Sequence, residues 1–190
     1  MDLLSGVFSA FGLSASAGLN AYIPLLAISL LAKFTDLIKL QSPWDTLTSW
    51  WVIGLLVILG GIEFFADKVP AVNHINDIIQ TFVRPAAGAI AFAASAKVVT
   101  DMSPILSMIA GLLVAGSVHT VKSVAVRPAL TAVTAGVANT PVSIAEDIIS
   151  TFLSILAILI PIIIGIILVL MTTTFIWWRW RKANAANAAY

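Results

Sequence analysis

Two carboxylates that stand four residues apart, Glu63 and Asp67, are the side chains in this sequence with the clearest capacity for chemistry. Residues at that spacing lie on one face of a helix, here at the end of an apolar segment. Two ionised carboxylates on one face repel each other unless a cation or a proton intervenes. The pair therefore predicts a site that carries protons or binds cations.

Other polar side chains occupy similar positions, at the ends of apolar segments or within one. Together with Glu63 and Asp67, the candidate substrate- or ion-binding residues are Asn20, Lys68, Asp77, Arg84, His119, Lys122, Arg127, Glu146 and Asp147. A charge at membrane depth costs about 2.5–3.5 kcal/mol on insertion scales, so such groups tend to pair or to line a wet cavity. We expect acids from one half of the chain to face cations of the other. The alternative is that each charge anchors a helix end among lipid headgroups.

Prolines directly follow two of the arginines, in Arg84-Pro85 and Arg127-Pro128. Proline is favoured at the first position of a helix, where its missing N–H costs nothing, and the residue before it is biased towards extended geometry. The free N–H groups of a helix N-terminus attract anions. We therefore expect each arginine to lie just outside a helix start, where it would hold an anionic group.

Several classes of function are excluded or disfavoured by the composition. The sequence has no cysteine and two histidines, so thiol nucleophiles and thiolate metal sites are excluded and a histidine-rich metal site is not expected. We find no nucleophile-elbow serine and no phosphate-binding glycine loop in the sequence. The ten basic residues are scattered and the net charge is +1, which argues against a nucleic-acid partner. We predict no enzyme activity, no metal and no cofactor.

The elements that position these residues are predicted to be membrane-spanning helices. Apolar residues make up 60% of the chain and charged residues 10%, whereas globular domains have about 45–50% and about 25%. A span needs about 20 apolar residues, and the candidate segments are 3–32, 50–65, 85–99, 102–121, 128–138 and 151–178. Because the fifth segment is short, we predict an all-α polytopic membrane protein with five or six transmembrane helices.

The end of the chain indicates an orientation. Residues 177–182, WWRWRK, combine tryptophans and cations after the last span, as is typical of a cytoplasmic membrane interface. Six spans would place seven basic residues inside and three outside, whereas five spans would place six and four, so six spans fit the positive-inside rule better. We predict a multi-pass protein of the bacterial inner membrane with a cytoplasmic C-terminus, an interfacial loop at 33–49 and a polar tail at 183–190.

The sequence also contains a duplicated pattern. DIIQTF at residues 77–82 recurs as DIISTF at 147–152, which is 70 residues later. An odd number of helices per repeat gives the two copies opposite orientations, an arrangement found in secondary transporters with a binding site where the repeats meet. We predict a 3+3 inverted repeat with short or broken helices, in which 1–100 form the first repeat and 101–182 the second. The alternative is chance recurrence of short apolar words.

A polar interruption lies inside the first apolar segment, where residues 18–24 read GLNAYIP. A kink at Asn20 and Pro24 would expose backbone carbonyls, which are tolerated in a membrane where they line a cavity. The alternative is close helix packing through Gly12, Ser14, Ser16 and Gly18, since small residues let membrane helices approach each other.

Four stretches carry a family resemblance: SAGLNAYIPLLAISLLAKF at 16–34, ADKVPAVNHINDIIQTFVRPAAGA at 66–89, His119-x-x-Lys122 with Arg127, and ANTPVSIAED at 138–147. On these stretches the chain resembles an uncharacterised bacterial integral-membrane family, a domain of unknown function. The resemblance implies a polytopic membrane protein and brings no established activity. The family tends to have a Gly-Asn-Pro turn where residues 138–141 here read ANTP. A fainter, compositional likeness is to the DedA-type lipid transporters, which also combine membrane-embedded acids with arginines near prolines.

Two functions fit these observations. The first is a small transporter, with proton coupling as one option, for an anionic or lipid-like solute. In this reading Arg84 and Arg127 hold the anionic group, and the groups that carry protons or bind cations are Glu63, Asp67, Asp77 and Asp147. The second is a non-catalytic structural or assembly subunit, whose small-residue faces pack against a membrane partner or a second copy. Both functions have the lipid bilayer as a partner.

Overall fold

The computed structural model describes residues 3–68, 70–96, 103–134 and 136–187. Within these ranges the chain forms helices and connecting segments, and it contains no β-strand. The predicted all-helical fold is therefore confirmed. The predicted boundary between residues 100 and 101 lies outside the described residues, as do the last three residues of the predicted tail.

The first apolar segment forms two helices, α1 (Leu3–Leu19) and α2 (Tyr22–Phe34), which meet at Asn20. The Asn20 Oδ1 atom accepts hydrogen bonds from the backbone N–H groups of Tyr22 and Ile23, at 3.0 and 3.1 Å. This side chain thus satisfies two donors that a helix start leaves free. A single helix over 3–32 was the wrong expectation, whereas the expected break near Asn20 is present.

The segment after α2 is largely a loop, as expected from the sequence. It is irregular until a short 3₁₀ turn at Trp44–Thr48, and α3 (Trp50–Ala66) follows. Lys33 donates a hydrogen bond to the Thr48 carbonyl at 2.7 Å and lies 4.5 Å from the centre of the Trp50 ring. These contacts tie the end of α2 to the start of α3, so that α3 runs back beside α2.

The helix α4 spans Pro70–Ala96 and contains Pro85 in its interior. The expected helix start at Pro85 is therefore wrong, and Arg84 does not stand outside a helix N-terminus. An interior proline removes one backbone hydrogen bond, but membrane helices tolerate this where neighbouring helices enclose them. Here the following turns are enclosed, because Ala91 and Phe92 are almost fully buried.

The next helical rod contains a change of winding. α5 (Pro104–Thr120) continues through a π-helical segment, Val121–Val126, directly into α6 (Arg127–Thr134). The expected fifth span at 128–138 is thus largely the end of this rod rather than a separate helix, and Arg127 is not outside a helix start. Residues five apart align in a π turn because its hydrogen bonds join residues i and i+5. The π segment therefore turns Lys122 and Arg127 to the same side.

The last apolar segment is also divided. α7 (Asn139–Leu159) and α8 (Pro161–Asn187) meet at Ile160, with Pro161 as the first residue of α8. The single span expected at 151–178 is therefore wrong, although a proline at a helix start is the usual arrangement. α8 continues into the first residues of the expected polar tail. Gly136, in the turn before α7, has a φ of 87°, a conformation that favours glycine.

The helices assemble around α1, which packs against α4, α5, α7 and α8. Its contacts depend on small residues, as the sequence indicated: Ser16 Oγ lies 2.7 Å from the hydroxyl oxygens of both Ser150 and Ser154. α4 and α5 approach even more closely, since a Cβ atom built on Gly88 would lie 2.2 Å from Ala115 Cβ. Small residues permit such approaches between membrane helices.

Four helices within the described residues are long and apolar enough to cross a membrane: Ile75–Ser95, Pro104–Thr134, Asn139–Leu159 and Pro161–Asn184. Shorter apolar helices are Leu4–Leu19, Tyr22–Phe34 and Trp50–Ala66. Many large apolar side chains point outward, including Trp51, Phe82 and Phe152. Such a surface suits hydrocarbon rather than water, and the architecture is that of an integral membrane protein.

Candidate functional site

A buried ion pair between α3 and α4 lies at the centre of the candidate site. Arg84 donates to Glu63 Oε1 from Nη2 at 2.8 Å and from Nε at 3.3 Å. The exposed fractions of the two side chains are 0% and 1%. Burial of a charged pair is unfavourable unless its geometry and further hydrogen bonds compensate for desolvation. The contacts around Glu63 and Arg84 therefore determine whether the cost of burying this pair is compensated.

Asp67, at the end of α3, joins two arginines. Its Oδ2 atom lies 3.5 Å from Arg84 Nη2 and 3.3 Å from Arg127 Nη2. The Ser143 hydroxyl donates to the same oxygen at 3.2 Å, and the Asn76 amide donates to Oδ1. One carboxylate thus connects α3, α4, α6 and α7.

Arg127 extends the cluster to two further acids. Its Nη1 atom lies 2.7 and 2.8 Å from the two carboxylate oxygens of Asp77, and its Nη2 atom lies 3.4 Å from Glu146 Oε2. The side chain of Arg127 is 8% exposed and that of Asp77 is 23% exposed. The cluster therefore reaches its more accessible edge at Asp77.

Lys122 connects this cluster to the break between α1 and α2. Its Nζ atom lies 2.7 Å from Glu146 Oε2 and donates to the Leu19 carbonyl at 3.2 Å. Leu19 is the last residue of α1, and the final carbonyls of a helix have no partner within it. Lys122 thus satisfies the backbone acceptor that the break leaves free.

His119 contacts the guanidinium group of Arg84 and has a defined tautomer. Its Nδ1 atom lies 3.4 Å from Arg84 Nη1, and its Nε2 atom lies 3.2 Å from the Thr81 hydroxyl. Arginine can only donate, so Nδ1 must accept and the proton must be on Nε2. His119 is therefore neutral in this arrangement, and it donates to Thr81.

A second, smaller cluster forms at Asp147. The Oδ2 atom of Asp147 lies 3.1 Å from Lys68 Nζ, and its Oδ1 atom accepts a hydrogen bond from the Asn20 amide at 3.0 Å. Both charged side chains are partly accessible, with exposed fractions of 16% for Lys68 and 13% for Asp147. The Asn20 side chain thus has two roles. Its amide nitrogen donates to Asp147, and its amide oxygen accepts from the first N–H groups of α2.

All eleven candidate residues from the sequence occur in these two clusters. The Asp77–Arg127, Asp67–Arg127 and Asp147–Lys68 contacts join the two halves of the chain as expected. The Glu63–Arg84 and Lys122–Glu146 contacts lie within one half. The arginines reach their acids from helix interiors, not from helix starts.

The acids are also supported by polar residues that were not predicted from the sequence. Asn76 and Ser143 donate to Asp67, and Gln80 is buried beside the same face of α4. A helical signal could have found them, since residues 76, 80 and 84 recur at intervals of four and Ser143 stands three before Glu146. The described residues contain no group of three or more histidine, cysteine or acidic side chains arranged to hold a metal ion.

Comparisons with known proteins place the chain in a family. The chain has no significant match among the curated proteins or among the solved structures. A family model does match residues 7–181, nearly the whole sequence, and its description is a domain of unknown function. This match agrees with the resemblance found in the sequence motifs. The chain therefore belongs to the family of the domain of unknown function DUF4126.

Proposed function

We propose that this protein is a small secondary transporter that moves an anionic or lipid-like solute together with a proton. The observation that carries the proposal is the buried ionic cluster around Arg84 and Arg127, which lies among membrane-length helices. A buried ion pair often contributes no more stability than apolar residues of similar volume. Ionisable groups inside a membrane protein therefore indicate a substrate or ion pathway by default.

The position of Asp67 supports coupling between the anion and the proton. Its Oδ2 atom lies between Arg84 Nη2 and Arg127 Nη2, where a phosphate or carboxylate group of a solute would also bind. A solute anion that replaces Asp67 would leave a buried, unpaired carboxylate, which is strongly unfavourable. Uptake of one proton by Asp67 removes that charge, so one negative charge and one proton enter together.

A lipid-like solute is consistent with a groove beside the second cluster. The groove lies between α2 and α7, has a volume of about 370 Å³, and is lined by apolar side chains that include Ile23 and Ile155. Two of its lining residues are tied to this cluster: the Ile23 N–H donates to Asn20 Oδ1, and the Thr151 hydroxyl donates to the backbone carbonyl of Asp147. An acyl chain could lie in the groove while its headgroup meets the polar residues, in keeping with the likeness to DedA-type transporters.

We further propose six membrane crossings in two inverted halves, with the C-terminus in the cytoplasm of a bacterium. The repeated DII-x-TF pattern starts at the eighth residue of α4 and the ninth residue of α7. Each repeated aspartate pairs with a cation of the other half, Asp77 with Arg127 and Asp147 with Lys68. Inverted repeats commonly meet at such a site, and Arg179, Arg181 and Lys182 favour the cytoplasmic side.

The experiment is a proton-flux assay in sealed vesicles that contain the purified protein and a trapped pH indicator. Inward gradients of inorganic phosphate or citrate, or added phosphatidic acid, are applied in turn. We expect at least one probe to acidify the interior, and Arg84→Gln or Arg127→Gln to abolish the signal. Asp36→Asn is the control, because the Asp36–Lys39 pair is exposed. Absence of protein-dependent acidification with every probe would contradict the proposal.

A structural or assembly subunit is the second candidate, and the outward face of α8 favours it. Phe175, Trp177 and Trp178 are all more than half exposed there, and clustered exposed aromatic residues occur at interfaces between proteins. A stoichiometric membrane protein that copurifies with the wild type and is lost from a Trp177→Ala, Trp178→Ala double variant would support this candidate. A monomer without a partner would contradict it.

A further inference from the structure

One oxygen in the buried cluster has no partner. Glu63 Oε1 accepts both hydrogen bonds from Arg84, whereas Glu63 Oε2 is inaccessible and unbonded. The carbonyl oxygen of Gln80 is likewise buried without a donor. The phenol of Tyr22 interacts with Gln80 and with the charge of Glu63. A buried acceptor without a donor is unfavourable, so the free oxygen of Glu63 requires an explanation.

The charges of the central cluster also do not balance. The described residues place four carboxylates in it, those of Glu63, Asp67, Asp77 and Glu146. Among the same described residues, three cations contact these carboxylates, Arg84, Lys122 and Arg127. His119 adds no charge, because its Nδ1 atom must accept from Arg84. With every acid ionised, the cluster would carry one excess negative charge in a poorly solvated environment.

Glu63 is the acid of this cluster that combines a side chain only 1% exposed with a buried oxygen that accepts no hydrogen bond. Asp67 uses both oxygens as acceptors, and so does Asp77. Glu146 Oε2 accepts from Lys122 and Arg127 and belongs to a more accessible side chain. A proton on Glu63 Oε2 would break no hydrogen bond, because that oxygen accepts none.

We propose that Glu63 holds one proton on Oε2 in the resting protein, so that this carboxyl group is neutral before a solute binds. The charged and titratable groups that face it are Asp67 from the same helix end, Arg84 from α4, Tyr22 from α2, and Lys122 from the π segment. His119 contacts Arg84 through Nδ1, which lies 3.4 Å from Arg84 Nη1. With Glu63 neutral, three carboxylates face three cations, and the cluster has no net charge.

A proton fits this position better than a metal ion. Glu63 Oε1 lies 2.8 Å from the guanidinium group of Arg84, so a bound sodium ion would face a fixed positive charge across one carboxylate. A covalently bound proton neutralises the carboxylate instead and needs no coordination shell. The assignment deepens the proposed transport function by naming the acid that stays neutral while Asp67 takes up the transported proton, and its role in transport rests on that proposal.

The test is infrared spectroscopy of the purified protein at neutral pH. Wild type should show the carbonyl stretch of a protonated carboxylic acid, and the band should shift when H₂O is replaced by D₂O. Glu63→Gln should remove it, whereas Asp147→Asn and Asp36→Asn should retain it, because Asp147 pairs with Lys68 and Asp36 is exposed. A band that survives in Glu63→Gln, or no band in wild type, would overturn the assignment.

Thermal unfolding gives a second readout. Gln is neutral and similar in shape to a protonated Glu, so Glu63→Gln should change Tm by no more than a few degrees. Asp67→Asn should lower Tm more, because it removes a paired carboxylate. A stabilisation by sodium, compared with choline at equal ionic strength, that disappears in Glu63→Gln would identify a metal ion and overturn the proton. A Glu63 band without flux in vesicles would uphold this assignment and contradict the transport proposal.

Discussion

Asp77 and Arg127 join the two halves of the chain through a partly buried contact in which one guanidinium nitrogen lies 2.7 and 2.8 Å from the two carboxylate oxygens. The residues are 50 positions apart and belong to α4 and α6. The same arginine also contacts Asp67 and Glu146, so it gathers acids from three segments. This contact is therefore where loss of one charge should have the widest effect.

We expect Arg127→Gln to destabilise the protein by about 3–5 kcal/mol, because removing one partner leaves buried charges unpaired. Asp77→Asn should cost less, since Asp77 is the more accessible partner. In a double-mutant cycle measured by thermal unfolding in detergent, the two changes should couple by more than about 0.5 kcal/mol. Additive effects would show that the contact contributes nothing specific.

The close approach of α4 and α5 gives a second prediction. A Cβ atom on Gly88 would lie 2.2 Å from Ala115 Cβ, whereas one on Gly61 of α3 would meet nothing within 4 Å. We expect Gly88→Ala to lower stability by about 1–3 kcal/mol through overpacking. Gly61→Ala is the matched control and should be neutral or stabilising by up to about 1 kcal/mol. Equal Tm values for the two variants would contradict the packing.

Asn20 should act both as the start of α2 and as a partner of Asp147. Asn20→Ala removes the acceptor for the Tyr22 and Ile23 N–H groups and should cost about 0.5–2 kcal/mol. Asn20→Asp keeps that acceptor but brings a second carboxylate towards Asp147, so it should not restore stability. The double variant Asn20→Asp, Asp147→Asn should restore stability, because the second carboxylate is then absent. Rescue by Asn20→Asp alone, measured as Tm, would contradict the dual role.

The sequence could locate the candidate residues because each one breaks a local rule. Asn20 interrupts an apolar segment, and Glu63 with Asp67 places like charges on one helix face. The break and the ionic contacts found at these positions follow from that local conflict. The same reasoning failed for Arg84, because a proline that usually begins a helix lies in the interior of α4, where neighbouring helices tolerate it.

The alignment of Lys122 with Arg127 could not be predicted from spacing. Residues five apart diverge on a regular α-helix, which aligns residues three and four apart. Only the π segment Val121–Val126 brings both side chains to Glu146, and nothing in its sequence, VKSVAV, requires that winding. Its cause is tertiary, since both cations gain a carboxylate partner. The missed Asn76 and Ser143, in contrast, were visible as helical periodicity.

The π segment can be tested by deletion. Removing Val124, which is exposed, would place the two cations four apart and let a regular helix align them. We expect this variant to keep Tm within about 4 °C of wild type. Deletion of Leu113, exposed in the regular part of the same rod, should turn the following residues away from the cluster and unfold the protein at a lower temperature. An equal decrease in Tm for the Val124 and Leu113 deletions would contradict this explanation of the π segment.

The central claim is that an anion and a proton pass together because Asp67 and the solute compete for the same arginines. The most direct measurement is the ratio of proton entry to anion entry in sealed vesicles, with inorganic phosphate, citrate and phosphatidic acid applied in turn. In wild type this ratio should be constant as the anion gradient varies. In Asp67→Asn, which cannot become charged, it should fall at least twofold while Asp36→Asn keeps the wild-type value. An unchanged ratio in Asp67→Asn, or no protein-dependent entry of any of the three anions, would contradict the claim.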